Sequence, residues 1–206
     1  MKGLLIKDLY LTKKHSMVLV GIALLFFTMS FLAKSMYFAF YPIALISILA
    51  INTLAYDDYY RWNKSEVTLP VSRTLAVLEK YLLLLIFILP TIIISNLIFL
   101  LVFKYSLSDI IRLMSLMLFA GAIVPSLIFP ISFKIGYTRA KTINILLTAF
   151  IVSFISFLNI GNISGDNVIN GTFAPQKSTP LFAVAAVILL GISMLLSIRF
   201  YKKREF

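Results

Sequence analysis

Few residues in this chain of 206 could do chemistry, and their types and spacing exclude most of it. No cysteine is present, so there is no thiol nucleophile, disulfide framework or thiolate metal site. A single histidine, His15, removes most acid–base and metal designs. A phosphate-binding loop needs Gly-x-x-x-x-Gly-Lys-Ser/Thr, whose glycines let backbone N–H groups surround phosphate. Around the only Lys-Thr pair, Lys141-Thr142, the glycine positions hold Ile135 and Ala140. Asp166 and Asn167, among Gly161, Gly165 and Gly171, supply too few oxygens at fixed spacing for a calcium loop and read as a turn. Asn162-Ile163-Ser164 and Asn170-Gly171-Thr172 match a glycosylation sequon, a pattern common by chance in an Asn- and Ser-containing loop. No catalytic residue, metal ligand or bound cofactor is assigned, and the chain is read as a non-enzyme.

The elements that must position the remaining polar residues are set by hydropathy. The chain is 61% hydrophobic and 13% charged with a mean hydropathy of +1.00, against roughly 45–50% and about 25% in soluble domains. Six apolar stretches are long enough to cross hydrocarbon as helices, at about 16–33, 36–55, 81–103, 113–133, 143–163 and 181–200. The expected fold is therefore all-α, one polytopic transmembrane domain over 1–206. The net charge of +11 raises nucleic acid as a partner, but in so apolar a chain basic residues record membrane orientation instead.

Lys and Arg alternate sharply between the connections. Fifteen of the 19 lie in residues 1–15 (Lys2, Lys7, Lys13, Lys14), 56–80 (Arg61, Lys64, Arg73, Lys80), 134–141 (Lys134, Arg139, Lys141) and the C-terminus (Arg199, Lys202, Lys203, Arg204). Lys34, Lys104, Arg112 and Lys177 lie on the other side. The positive-inside rule then puts both termini in the cytosol. Within the spans no charge falls near mid-depth, which disfavours an ion-driven pump. Asn52, Asn96, Asn144 and Asn159 read as hydrogen-bonding contacts between helices, with a translocation path as the other option. Pro42, Pro90, Pro125 and Pro130 fall inside spans and predict bends.

Two cytosolic segments carry the remaining polar signal. Residues 2–14 read as an amphipathic helix, with Leu4, Leu5, Leu9 and Thr12, or Ile6 and Tyr10, on an apolar stripe. Lys2, Lys7, Asp8, Lys13 and Lys14 are then directed to water and headgroups. It is expected to lie on the inner membrane surface; the alternative is an N-terminal extension of the first span. Residues 56–80 hold half of the acidic residues, Asp57, Asp58, Glu66 and Glu79, with Tyr59, Tyr60, Arg61, Lys64 and the only tryptophan, Trp62. Aromatics interleaved with arginine have the composition of a docking surface; a solvated juxtamembrane helix is the alternative. Pro70 breaks the chain, and Ser72 is placed to N-cap a helix from Arg73.

The opening Leu5-Ile6-Lys7-Asp8-Leu9-Tyr10, the six spans, Tyr56-Asp57 followed by Trp62, and Leu69-Pro70-Val71-Ser72-Arg73 leading to Glu79-Lys80-Tyr81 resemble the ABC-2 type permeases of bacterial ATP-binding-cassette exporters. Among these they are most similar to the permeases that export phenol-soluble modulins and related amphipathic peptides. The resemblance implies an elbow helix on Leu4 to Lys14, including Leu5, Asp8, Leu9 and Tyr10. It also implies a coupling segment on about Asp57 to Thr68, with Asp57, Asp58, Tyr59, Arg61, Trp62, Lys64 and Glu66 facing the ATPase. ATP and Mg would then sit on two copies of a partner ATPase. A second permease copy would complete a homodimer or paralogous heterodimer in the bacterial cytoplasmic membrane, in contact with lipid. A permease for a lipid-like substrate, a membrane-embedded enzyme and a non-transporting immunity protein are the competing functions; the enzyme would need Glu, Asp or His clustered within spans, which this chain lacks.

Overall fold

The computed structural model describes residues 2–32, 40–62, 72–103, 107–140, 142, 146 and 180–204. Their long elements are α1 (Lys2–Leu32), α2 (Phe40–Tyr59), α3 (Arg73–Phe103), α4 (Leu107–Ile135) and α5 (Pro180–Lys203), with no strand among the described residues. Among the described residues three helical stretches are long and apolar enough to cross a membrane: Arg73–Ile98, Leu113–Ile135 and Leu181–Lys203. A shorter apolar helical run covers Val20–Met29. The expected span at 143–163 lies outside the described residues.

Helix starts and stops follow local chemistry. Ser72 caps α3 as its sequence predicts: its Oγ accepts the Leu75 N–H at 3.3 Å and its carbonyl accepts Leu75 and Ala76 at 2.9 and 3.2 Å. The 31 residues of α3 extend about 46 Å, more than the ~30 Å of hydrocarbon requires. Pro90 lies inside α3, and Pro125 and Pro130 inside α4, without ending either helix.

The expected surface helix is drawn differently. Residues 2–14 continue into the expected first span as the unbroken α1, which is the alternative arrangement for that segment. Its orientation also corrects the expected one. Asp8, expected to face water, is fully buried beside Leu4 and Thr12, whereas Ile6, Leu9 and Tyr10 are exposed. A carboxylate with cationic partners is better placed in the protein interior than against apolar surroundings, and the i, i+4, i+8 stripe Leu4, Asp8, Thr12 turns inward.

The core lies where α2, α3 and α4 meet, built on Ile43, Leu84, Ile88, Met117 and Phe129. Gly121 permits this approach, since a Cβ there would stand 2.8 Å from Ile43 Cγ2 and 3.3 Å from Ile88. The most extensive helix pairing is α4 with α5. A run of aromatic contacts, Tyr81 to Phe129 (4.9 Å), Phe129 to Phe133 (6.5 Å) and Phe133 to Tyr201 (5.2 Å), joins α3, α4 and α5. Tyr81 also hydrogen-bonds Ser193 and Ser197 at 2.6 and 2.9 Å, while α5 presents Leu181, Val184, Ile188, Ile192 and Leu195 outward. The polar atoms face in and the apolar ones out, as lipid surroundings require.

Gly136 follows α4 with φ of 91°, and a Cβ there would lie 2.7 Å from Arg204 Nη2 and 3.1 Å from Asp58 Oδ2. Gly136→Ala is therefore expected to cost about 1–2 kcal/mol from the left-handed backbone, plus displacement of Arg204. The reading is a lower thermal midpoint for the detergent-purified chain. Gly191→Ala, whose Cβ would meet nothing within 4 Å, is expected to leave the midpoint unchanged or slightly raised.

Candidate functional site

Five ionisable side chains meet where the ends of three helices converge, and burial pushes the Glu79 carboxyl up to about 8. Lys7 and Asp8 come from the start of α1, Asp57 from the end of α2, and Glu79 and Lys80 from the second turn of α3. Lys80 Nζ donates to Asp8 Oδ2 and lies 2.5 Å from Asp57 Oδ2. Lys7 Nζ donates to Asp57 Oδ1 at 2.6 Å and stands 2.9 Å from Asp8 Oδ1. Each lysine thus touches both aspartates, closing a four-membered ionic ring that binds α1, α2 and α3. Asp8, Asp57 and Lys80 are buried, and buried charges persist only when paired from several sides.

Glu79 adds a third carboxyl group, also buried: its Oε2 is 3.8 Å from Lys80 Nζ, and its Oε1 has no hydrogen-bond partner among the described residues. The Trp62 ring lies 4.5 Å from Lys7 Nζ in a cation–π contact. Between the ring, Trp62, Leu4, Leu54, Phe133 and Tyr201 is a cavity with room for about one water molecule. Among the described residues no group of His, Cys, Asp or Glu is arranged to hold a metal. What this arrangement can do is mechanical: its ion pairs tie the ends of α1, α2 and α3 to one another.

A second set of contacts draws in the remaining helices. Arg73, at the start of α3, donates from Nη1 to the carbonyls of Tyr201, Lys202 and Arg204 at 3.3, 2.8 and 3.0 Å, satisfying the end of α5. Asp58 accepts the Thr138 N–H at 3.0 Å and its Oγ1 at 3.4 Å, and lies 3.9 Å from Arg204 Nη2. The four segments that hold the fifteen basic residues therefore meet at one end of the bundle.

Of the residues expected at a coupling surface, Asp57 is taken up by the ionic ring and Asp58 by Thr138 and Arg204. Much of the mixed charge that suggested docking is thus spent between helices. Tyr59, Tyr60 and Arg61 remain exposed, with the two tyrosine rings edge to face at 5.1 Å. Arg61 carries φ of 53° in the turn that follows α2. Trp62 is half-buried, and Lys64 and Glu66 lie outside the described residues. Of the four asparagines, Asn96 donates to the Ile92 carbonyl at 2.8 Å and approaches Met117 Sδ at 3.5 Å, a contact between α3 and α4. Asn52 is half-buried on α2; Asn144 and Asn159 lie outside the described residues.

Sequence reasoning missed the partnership of Lys80 with Asp8 and Asp57. The available signal was that all three stand beside a span end on the same predicted side of the membrane, where opposite charges can meet at one depth.

This is a helical membrane component whose charged ends are tied together and which has apolar outer faces. The sequence matches the ABC-2 family transporter protein family over residues 3–202, and the chain belongs to that family. No curated protein and no solved structure matches it significantly.

Proposed function

We propose that the chain is the permease subunit of a bacterial exporter that moves amphipathic peptides of the phenol-soluble modulin type, driven by ATP hydrolysed on a separate subunit. Six spans, cytosolic termini and residence in the cytoplasmic membrane complete the reading. A second permease copy, identical or paralogous, and two ATPase copies carrying ATP and Mg make up the assembly. The observation that carries it is the gathering of the four basic segments at one end of the bundle, with Tyr59, Tyr60 and Arg61 exposed there. An ATPase seated on that turn would push on α2, and the ionic ring would pass the movement to α1 and α3. Neutral, apolar spans favour a cargo already half-dissolved in lipid over an ionic solute.

The test is co-expression with a cognate ABC ATPase followed by peptide uptake into inverted vesicles. A complex holding two ATPase copies, with ATP-dependent uptake of short amphipathic helices and no hydrolysis by the isolated chain, is expected. Uptake of a lipid or polysaccharide instead would reject the cargo while keeping the transporter. Topology is checked separately in this cysteine-free chain: a cysteine at Asn167 should react with an impermeant thiol reagent in intact cells, and cysteines at Ser65 or Lys203 should not. Labelling at Ser65 would invert the orientation.

A further inference from the structure

We propose that the outward face of α5 and its cationic end form a binding site for an anionic phospholipid of the leaflet at the basic end of the bundle; the inference rests on the chain being the membrane subunit described above. Leu181, Ile188, Ile192 and Leu195 are exposed on α5, and their spacing of three, four and seven residues puts them on one face. The same spacing continues into Arg199, Lys202 and Lys203, all exposed. Opposite them, Ser193, Ser197 and Tyr201 are buried against the bundle. One face thus offers an apolar track ending in three cations. Lys134, from the last turn of α4, brings a fourth to its flank by lying over the Phe200 ring at 5.3 Å.

The charge of this end is one-sided because of how the helices pack. Asp8 and Asp57 are taken up by the ionic ring, Glu79 is buried beside Lys80, and Asp58 is held by Thr138 and Arg204. Among the described residues no carboxylate pairs with Lys134, Arg199, Lys202 or Lys203. Clustered cations at a membrane-facing helix end attract acidic headgroups.

The continuity of the cations with the apolar track selects the ligand. A phosphate ester at Arg199, Lys202 and Lys203 can extend its acyl chains along Leu195, Ile192 and Ile188, whereas free phosphate or an acidic protein surface would use only the cations. A second copy packed α5 to α5 about an axis along the membrane normal would set these same cations against each other at one depth, and like charges that meet repel.

The experiment is native mass spectrometry of the full chain released from mixed micelles of dioleoyl phosphatidylglycerol and dioleoyl phosphatidylcholine. Preferential retention of phosphatidylglycerol is expected, and the triple variant R199Q/K202Q/K203Q should lose that preference by about tenfold or more. The charge-preserving variant R199K/K202R/K203R should keep it, which separates loss of charge from loss of fold. Dihexanoyl phosphatidylglycerol and glycerol phosphate should compete poorly, because neither can occupy the apolar track. Equal retention of the two dioleoyl lipids, an unchanged preference in the glutamine variant, or competition by glycerol phosphate as strong as that by the long-chain lipid would each overturn the proposal. The isolated chain suffices, so a failed transport assay and a failed lipid assay are independent results.

Discussion

Lys80→Met is expected to destabilise the chain by about 3–5 kcal/mol, the cost of leaving buried charges without their partner. Lys80 is the buried one of the two cations that contact both Asp8 and Asp57, and Glu79 stands 3.8 Å away. Its removal leaves the buried Asp8 and Asp57 with Lys7 as their one cation among the described residues. The loss arises from uncompensated charge rather than from a missing bond, so it should be recovered in part by removing charge. Lys80→Met combined with Asp8→Leu should regain more than half of it, although the two replacements separately are each destabilising. Thermal unfolding of the purified chain in detergent, read as a double-mutant cycle, checks this. A loss below about 1 kcal/mol for Lys80→Met, the range of exposed ion pairs, would show that the ring is solvated and does not bind the helices together.

Arg61→Glu and Tyr60→Ala are expected to weaken ATPase association by about 2 kcal/mol each, roughly 30-fold in Kd, if the turn after α2 is the seat of the ATPase. Both side chains are exposed, so unfolding should change by no more than about 0.5 kcal/mol. Arg61→Gly separates charge from backbone: glycine suits the φ of 53° and should raise stability slightly while still weakening association. Trp62→Ala is a different experiment, because it also removes the ring that faces Lys7 Nζ and so disturbs the ionic ring. Affinity of the ATPase for the chain in nanodiscs is the measurement. Unchanged binding by both Arg61→Glu and Tyr60→Ala would move the coupling surface elsewhere.

Several features were legible without coordinates because their causes are local. Ser72 caps α3, since a hydroxyl one residue ahead of a helix finds free N–H groups wherever the helix packs. Long apolar runs became helices because an unpaired backbone is too costly in hydrocarbon. The ABC-2 family was readable because its motifs lie in short contiguous stretches, Leu5 to Tyr10 and Tyr56 to Tyr81. Other features could not be read this way. Asp8 looked like a surface residue of an amphipathic helix, since the usual rule that charge faces out assumes water outside. Asp57 looked like part of a docking surface, since its partners Lys7 and Lys80 stand 50 and 23 positions away in sequence.

By itself, the sequence determined that this is a helical membrane protein of the ABC-2 family and that a helix starts after Ser72. These depend on composition, on 20-residue runs and on the residue types beside them. Only the tertiary structure decided which charges pair: Asp8, Asp57, Lys7 and Lys80 close a ring, Arg73 satisfies the end of α5, and Arg199, Lys202 and Lys203 are left on an outward face. Pairing is a matter of distance between helices, and distance between helices is set by packing, here by Gly121 against Ile43 and by the joined aromatics of α3, α4 and α5, which no single segment encodes.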